Sequence, residues 1–86
     1  MHFVYIIYSH KFARFYVGMS QDVKERLRQH NSGTVKSTKA FLPWVVCYQE
    51  VFETIEEARK REKYLKSAAG RRWRKNNIER PRSLPD

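Results

Sequence analysis

The segment FVYIIY, from Phe3 to Tyr8, constrains the fold of this chain most strongly. Every residue in it is aromatic or β-branched, so the strand that it predicts is apolar on both faces. A strand of this kind is covered by other elements on both sides, and we therefore expect it at the centre of a sheet. A chain of 86 residues provides one domain in which to build that cover.

Two further strands are predicted on either side of a helix. Phe15 to Val17 forms the second strand, antiparallel to the first, after a polar connection. Gly18 is expected to end it, because a side chain there would hinder a turn or a close backbone approach. The third strand runs from Trp44 to Phe52, after a polar loop from Ser32 to Leu42.

Capping residues mark the beginnings of two helices. Asp22 with Glu25 three residues later predicts a helix from Val23 to about Asn31, and Thr54 with Glu57 predicts a second helix. Beyond them, Gly70 is expected to end or kink the second helix, and a third helix follows from Arg71 to Ile78 with Trp73 packing back. We expect one domain over residues 1–80 and a disordered tail over residues 81–86.

The composition favours a polyanionic partner. The net charge is +9, and 11 of the 18 basic residues fall between Arg59 and Arg82. A concentrated basic surface attracts nucleic acid through counterion release, although a solubility charge or an acidic membrane surface is an alternative. No apolar run approaches the roughly 20 residues of a membrane span. Cys47 is the single cysteine, which excludes an internal disulfide and fits a reducing cytoplasm.

Glu62 stands out in the second helix. It shares a stripe at helical spacing with apolar residues: Ile55, Ala58 and Leu65. A carboxylate among aliphatic neighbours is unfavourable unless something compensates its charge. A divalent cation such as magnesium would do so. An ion pair with a nearby base is an equally good interpretation, and the candidate bases are Arg26, Arg59 and Lys66.

Four other residues are candidates for chemistry. Arg26 and His30 are four positions apart and so are neighbours on the first helix; Arg26 can hold a phosphate and stabilise its developing charge. Tyr5 and Tyr16 can meet if they face the same side of adjacent strands. A free tyrosine has a pKa of about 10, so a neighbouring cation must favour the phenolate before it can act as a base. Taken singly, such an arginine is more often a solvated base, and the other three are more often core residues.

A set of basic residues is the candidate for nucleic-acid contacts. The segment RRWRK combines bases with an aromatic ring, which suits backbone contact and base stacking. A helix whose Trp73 packs inward while its arginines stay solvated is an equally good interpretation. The candidates are Lys36, Lys39, Arg71, Arg72 and Arg74.

In this order and spacing, the residues resemble the GIY-YIG nuclease superfamily, specifically its small single-domain members. Phe3-Val4-Tyr5 resembles the first motif and Tyr16-Val17-Gly18 the second, with Arg26 eight residues after the glycine and His30 four further on. The segments HNSG, KSTKAFLPW and EEARKREKYLK also resemble family signatures. The resemblance covers the chain from Phe3 to Trp73.

The resemblance implies an α+β fold, a three-stranded antiparallel sheet flanked by helices in the order β-β-α-β-α-α. It also implies one divalent metal, Mg²⁺ or Mn²⁺, held by Glu62. Tyr5 would help to activate the attacking water, Tyr16 and His30 would assist positioning and proton transfer, and Arg26 would bind the scissile phosphate.

Three features depart from the family pattern or leave part of it open. Phe3 stands where the family name has its first glycine. Family members often have a late asparagine near the metal, and Asn76 or Asn77 is the candidate for it. The chain has no separate DNA-binding domain, so target choice must come from its basic helices, the loop after His30, or a partner protein.

We therefore predict a cytoplasmic, metal-dependent endonuclease that hydrolyses phosphodiester bonds in DNA, with branched or damaged structures as candidate substrates and a role in repair. The first alternative is a nucleic-acid-binding module without useful turnover. The second is a scaffold that binds RNA or a protein with the same basic surface.

Overall fold

The computed structural model describes residues 1–78, which confirm the predicted α+β fold class. The strands are β1 (His2–Ser9), β2 (Arg14–Ser20) and β3 (Val45–Phe52), and the helices are α1 (Val23–Asn31), α2 (Ile55–Lys66) and α3 (Ala68–Asn77). The predicted tail, residues 81–86, and the last two residues of the predicted domain lie outside the described residues.

β1 is the central strand of the sheet, as its sequence predicts. The strand order is β2-β1-β3, and both neighbours pair with β1 antiparallel. Val4 and Ile6 point to one face and pack against Ala58 and Leu65 of α2, while Tyr5 and Ile7 point to the other face and pack beside α1. No side chain of these four β1 residues is more than 1% exposed. The apolar character of both faces thus follows from a helix layer on each side.

β2 does not end at Gly18. The strand continues to Ser20, and Gly18 lies directly opposite Tyr5 in β1. A Cβ atom on Gly18 would overlap with the hydroxyl of Tyr5 and lie 2.6 Å from its Cζ. The prediction of a strand end was therefore wrong, because the glycine makes room for an aromatic side chain and does not form a turn.

The helix starts confirm the predicted caps. The side chain of Asp22 accepts a hydrogen bond from the backbone N–H of Glu25 at 3.1 Å, and that of Thr54 accepts one from Glu57 at 3.2 Å. Gly33, just beyond α1, has a φ of +83° that favours glycine. No helix within residues 1–78 has the length and apolar character needed to cross a membrane.

The break between α2 and α3 lies at Ser67, three residues before the predicted position at Gly70. The backbone N–H of Ser67 donates to the carbonyl of Tyr64 at 3.0 Å, and its Oγ accepts from the N–H of Gly70 at 3.2 Å. Ser67 therefore ends one helix and caps the next. Gly70 lies inside α3, where a Cβ would overlap with the backbone of Tyr64 and Leu65. Its role is close packing between the two helices.

The loop from Ser32 to Leu42 is anchored at its middle. Thr38 is fully buried, and its carbonyl accepts a hydrogen bond from Nε1 of Trp44 at 3.0 Å. The side chain of Asn31 in turn bonds both backbone groups of Trp44, at 2.7 and 3.0 Å. These bonds hold Thr38 against the α1 face of the sheet.

Replacing Gly70 by alanine tests the packing of α2 against α3. Helix propensity alone predicts that the substitution stabilises the protein by about 1 kcal/mol. We expect the opposite, a destabilisation of about 1–3 kcal/mol, because the new methyl group meets backbone atoms that cannot move aside. Urea unfolding followed by circular dichroism measures the change.

Ala68→Gly is the control, because Ala68 is exposed in the same helix. It should cost about 1 kcal/mol or less, the effect of propensity alone. A Gly70→Ala protein more stable than the wild type would contradict the packing inference.

Candidate active site

The two candidate tyrosines lie on the same face of the sheet. Tyr5 in β1 is opposite Gly18, and Tyr16 in β2 is opposite Ile7, so the tyrosines are diagonal neighbours. Because Gly18 has no side chain, the end of the Tyr5 ring lies over it. The Tyr-Val-Gly segment thus supplies one aromatic side chain and the space for another.

His30 connects Tyr5 to the loop after α1. Its Nε2 lies 2.9 Å from the hydroxyl oxygen of Tyr5, and its Nδ1 lies 2.8 Å from Oγ1 of Thr38. His30 and Thr38 are 0% exposed and Tyr5 is 1% exposed. Three polar groups that would be costly to bury singly therefore satisfy one another in a continuous chain.

The carbonyl group next to Thr38 determines which group donates in each hydrogen bond between Tyr5, His30 and Thr38. Oγ1 of Thr38 lies 3.5 Å from the carbonyl of Val35, which can only accept a hydrogen bond. If the Thr38 hydroxyl donates to this carbonyl, it accepts a hydrogen bond from Nδ1–H of His30. Nε2 of His30 then carries no hydrogen and accepts a hydrogen bond from the hydroxyl of Tyr5. In this tautomer the lone pair of the imidazole faces the tyrosine.

Charged groups converge on Tyr5 as well. Burial raises the pKa of Tyr5, and the hydrogen bond and positive charge of Arg26 act in the opposite direction. The charges of Tyr16 and Glu62 raise the pKa of Tyr5 further. Tyr5 is thus within electrostatic reach of residues from β2, α1 and α2. Arg26 is held in place by a bond from its Nη1 to Oε1 of Gln29 at 2.7 Å.

Glu62 reaches the site past the edge of β2. Its carboxylate pairs with Nζ of Lys66 at 3.3 Å, and that Nζ lies 5.9 Å from the centre of the Tyr16 ring. Tyr16 in turn packs edge to face on His30, with 5.2 Å between ring centres. Lys66 is the base that pairs with Glu62, not Arg26 or Arg59. The structure therefore brings the five predicted residues to one site around Tyr5.

The donor set at Glu62 decides what kind of metal site is feasible. Within residues 1–78 no three His, Cys, Asp or Glu side chains cluster as a ready-made metal cage. Glu62 supplies one carboxylate, 23% exposed. Mg²⁺ commonly binds through one or two carboxylates and completes its shell with waters and substrate phosphates. The residues fit a cation of this kind, completed by substrate.

His30 is in its neutral form near neutral pH. Burial of the imidazole lowers the pKa of His30, and the positive charge of Arg26 lowers it further. A neutral imidazole is what the tautomer assigned above requires, because only the neutral ring has a lone pair on Nε2. His30 can therefore accept a proton from Tyr5.

The predicted nucleic-acid contacts separate into two groups. Arg71 and Arg74 line a groove that also includes Tyr16, whereas Lys36, Lys39 and Arg72 do not line it. The asparagines predicted to approach the metal lie in the last turn of α3 and are exposed: Asn76 and Asn77. The side chain of Asn77 donates to the carbonyl of Trp73 at 2.8 Å and is thus engaged within its own helix.

Sequence reasoning missed Thr38. It lies in a polar loop without periodicity, where a buried threonine looks like its solvated neighbours. The segment KSTKAFLPW, which contains it, is distinctive in the sequence only through its resemblance to the family. The sequence indicates Lys66 as one candidate partner for Glu62. Its position beside Tyr16 cannot be predicted from the sequence, because it depends on how α2 crosses β2.

The model of the GIY-YIG catalytic domain family matches residues 1–77. The chain belongs to this family. It is 39% identical over 67 residues to the UPF0213 protein SSP2268 of Staphylococcus saprophyticus, spanning 77% of this chain and 80% of that protein. It is 42% identical over 67 residues to the UPF0213 protein SA0446 of Staphylococcus aureus strain N315, with the same coverage.

A solved relative shares the fold. The solution NMR structure of the UPF0213 protein BH0048 from Bacillus halodurans is 31% identical, with a TM-score of 0.50 over 84% of this chain and 79% of that one. Membership of the GIY-YIG family implies nuclease activity on a nucleic acid, and GIY-YIG nucleases typically use divalent metals. The names of these relatives state no substrate.

Lowering the pH tests the burial of His30. In the folded chain the pKa of His30 lies below its ordinary value. As the pH falls through about 6.5, the unfolded chain therefore binds this proton before the folded chain does. The stability contributed by His30 is complete above that pH and is lost below it. We expect the free energy of unfolding to decrease between about pH 7.5 and pH 5.5, measured by urea unfolding at constant ionic strength.

His30→Gln isolates this effect, because it removes the titrating group. Its unfolding free energy should depend less steeply on pH than that of the wild type. Equal slopes for His30→Gln and the wild type would contradict the assignment.

Proposed function

We propose that this protein is a cytoplasmic endonuclease that hydrolyses phosphodiester bonds in DNA with Mg²⁺ or Mn²⁺, with branched or damaged DNA as its substrates. The observation that carries the proposal is the position of Tyr5. Its hydroxyl is hydrogen-bonded to a neutral histidine at 2.9 Å and is within reach of Arg26 and Glu62. These are a base, an anion-binding group and a metal-binding carboxylate at one site.

Tyr5 and His30 together can take a proton from water. The pKa of Tyr5 is raised by burial, so its hydroxyl is protonated at neutral pH and cannot act alone as a base. We infer that the hydroxyl passes its proton to Nε2 of His30 while its oxygen accepts one from the attacking water. The water oxygen then bonds to phosphorus, the ester P–O bond breaks, and the leaving oxygen takes a proton from solvent.

Arg26 has two functions in this scheme. Its guanidinium binds the scissile phosphate and stabilises the negative charge that develops on its oxygens. It also favours the phenolate of Tyr5 at the moment of proton transfer and disfavours the protonated form of His30 afterwards. The proton therefore leaves His30 again once the bond is broken, and the site is reset.

Glu62 is the residue that would hold the divalent cation. A cation bound there supplies positive charge next to the phosphate. Lys66, which pairs with Glu62 and lies beside Tyr16, neutralises the carboxylate and keeps the site cationic for an approaching phosphate. Tyr16 positions His30 through their edge-to-face contact.

Thr38 is a positioning residue in this proposal. It contacts His30 and not the substrate. Its hydroxyl fixes the imidazole tautomer by accepting from Nδ1–H, which leaves Nε2 free to accept the proton of Tyr5. Without that hydroxyl the two tautomers of His30 become comparable, and the wrong one donates to Tyr5.

A binding module without turnover is the second candidate, and the ion pair between Glu62 and Lys66 favours it. A carboxylate already paired with a lysine at 3.3 Å needs no metal to be satisfied. Titration with Mn²⁺ separates the two functions. A site lost in Glu62→Gln supports the enzyme, and the absence of any site supports the binding module.

Cleavage assays on nicked, flapped and four-way-junction DNA test the proposed activity. In the presence of Mg²⁺ or Mn²⁺ we expect cutting by the wild type and a loss of about 10²–10³-fold in kcat for Glu62→Gln, which removes the charge and keeps the shape. Product bands on denaturing gels measure the rate.

Glu56→Gln is the matched control, since Glu56 is an exposed carboxylate in the first turn of the same helix. It should retain the wild-type rate. Equal rates for Glu62→Gln and the wild type on every substrate would reject the enzymatic proposal.

Replacing Thr38 by valine tests its positioning role. Valine keeps the branched shape and removes the hydroxyl, so we expect kcat to fall about tenfold or more, a part of the roughly 10²–10⁴-fold that acid–base groups contribute. The KM for DNA should stay the same, because Arg26 and the basic surface are untouched. The pH dependence of kcat should shift with the altered histidine, and steady-state kinetics at several pH values measure it.

Thr38→Ser is the control that keeps the hydroxyl. It should restore most of the rate and the wild-type pH profile. A valine variant with unchanged kcat and pH profile would show that the tautomer of His30 is set without Thr38.

A further inference from the structure

A groove runs along the first half of β2, beside the candidate active site. It has a volume of about 500 Å³, and it lies between β2 and the junction of α2 with α3. Among residues 1–78, β2 is an edge strand that pairs only with β1, and its backbone bounds the groove on one side. Of the residues that line the groove, only Tyr16 and Lys66 take part in the proposed hydrolysis.

The walls of the groove are cationic. Four of the ten described residues that line it are basic, and none of the ten is acidic. The basic residues are Arg14, Lys66, Arg71 and Arg74. They come from three different elements, so only the folded chain brings them together. A surface of this kind binds polyanions, because each cation that meets a phosphate releases a counterion.

Aromatic side chains alternate with these cations. Three of the ten lining residues carry aromatic rings, and these are Phe12, Phe15 and Tyr16. Phe12 is 43% exposed. An exposed ring next to a basic wall is the combination on which unpaired bases stack while their phosphates meet cations.

The arginines of the groove are held in place before any ligand arrives. The guanidinium of Arg14 lies 4.2 Å from the ring centre of Phe41. Nη1 of Arg71 donates to the carbonyl of Lys66 at 3.2 Å, at the end of α2. A guanidinium fixed on a ring or a helix end loses less freedom when it binds phosphate. The walls are therefore preorganised for a chain of phosphates.

The groove opens onto the site at Tyr16 and Lys66. Lys66 lines the groove and also pairs with Glu62, and Tyr16 lines it while packing on His30. A strand that follows the groove from Arg14 therefore arrives at Tyr16 and at the Lys66 that pairs with Glu62.

We propose that this groove binds an unpaired nucleic-acid strand that flanks the bond to be cut. This inference rests on the proposed function, because it assigns the substrate a single-stranded segment next to the scissile phosphate. The cations contact the phosphates of that strand, and the exposed ring of Phe12 supports its bases. Lys36, Lys39 and Arg72 lie outside the groove and contribute only long-range attraction.

Fluorescence anisotropy with a labelled 12-nucleotide thymidine strand tests the proposal. The measurement is made in EDTA across a range of salt, beside a blunt 12-base-pair duplex. We expect the strand to bind more tightly than the duplex. The double variant Arg14→Gln/Arg71→Gln should weaken strand binding about tenfold or more at low salt and reduce the slope of log K against log salt by about 1.4, about 0.7 per phosphate contact.

Arg59→Gln/Arg72→Gln is the matched control. It removes the same charge from two exposed arginines of α2 and α3 that do not line the groove. It should produce less than half of the change in slope. Equal effects of the two double variants would overturn the proposal, as would duplex binding as tight as strand binding, or competition by polyglutamate as effective as by the oligonucleotide.

Crosslinking of the wild-type protein keeps the test independent of variant stability. A 4-thiothymidine strand, irradiated in EDTA and mapped by mass spectrometry, should attach to the peptide that contains Phe12, Phe15 and Tyr16. Attachment only to other peptides would overturn the proposal.

The experiments distinguish failure of the binding proposal from failure of the nuclease proposal. Loss of binding in Arg14→Gln/Arg71→Gln together with no cleavage by the wild type would support the groove and reject the nuclease. Cleavage by that variant with an unchanged KM for flapped DNA would support the nuclease and reject the groove.

Discussion

The hydrogen bond between Tyr5 and His30 is the interaction on which the rest of the site depends. It joins the central strand to α1 at a buried position, where the two side chains are 1% and 0% exposed. Either group left alone there would cost about 1–3 kcal/mol. The pair is possible because Gly18 leaves room for the Tyr5 ring and because Thr38 satisfies the other nitrogen of His30. The same hydrogen bond therefore contributes to the folding stability and to the proposed chemistry.

Burial shifts the pKa values of Tyr5 and His30 in opposite directions. Burial raises the pKa of Tyr5 and lowers that of His30, so both groups are neutral near pH 7. A neutral hydroxyl facing a neutral imidazole can pass on a proton without creating a lasting buried charge. Arg26 acts on the two groups in opposite senses, because its positive charge stabilises the phenolate of Tyr5 and opposes the imidazolium of His30, which loses its proton again after the transfer. Charge on the Tyr5–His30 pair is therefore present only during proton transfer.

The two faces of the sheet carry different sets of residues, and these sets come together at the edge of β2. The α1 face carries Tyr5, Tyr16 and His30, whereas α2 covers the opposite face with Ala58 and Leu65. Glu62 reaches the site from that second layer, past the edge strand and beside Lys66. An exposed sheet edge is usually a liability. Here Arg14 of β2 and the basic residues of α2 and α3 beside this edge place positive charge along it and line the proposed binding groove.

The sequence by itself determined the central strand and the starts of α1 and α2, because periodicity and caps are local properties. It offered Tyr5 and the four candidate residues near it as a set only through the resemblance of their motifs to the family. Gly18 and Gly70 were misinterpreted as ends of elements for a related reason. A glycine that makes room for a distant side chain or helix looks the same in sequence as one that forms a turn. Thr38, the choice of Lys66 as partner for Glu62, and the basic groove were decided only by tertiary structure. Each depends on segments far apart in the chain meeting in space, and no local pattern encodes how α2 crosses β2 or where the loop after α1 folds back.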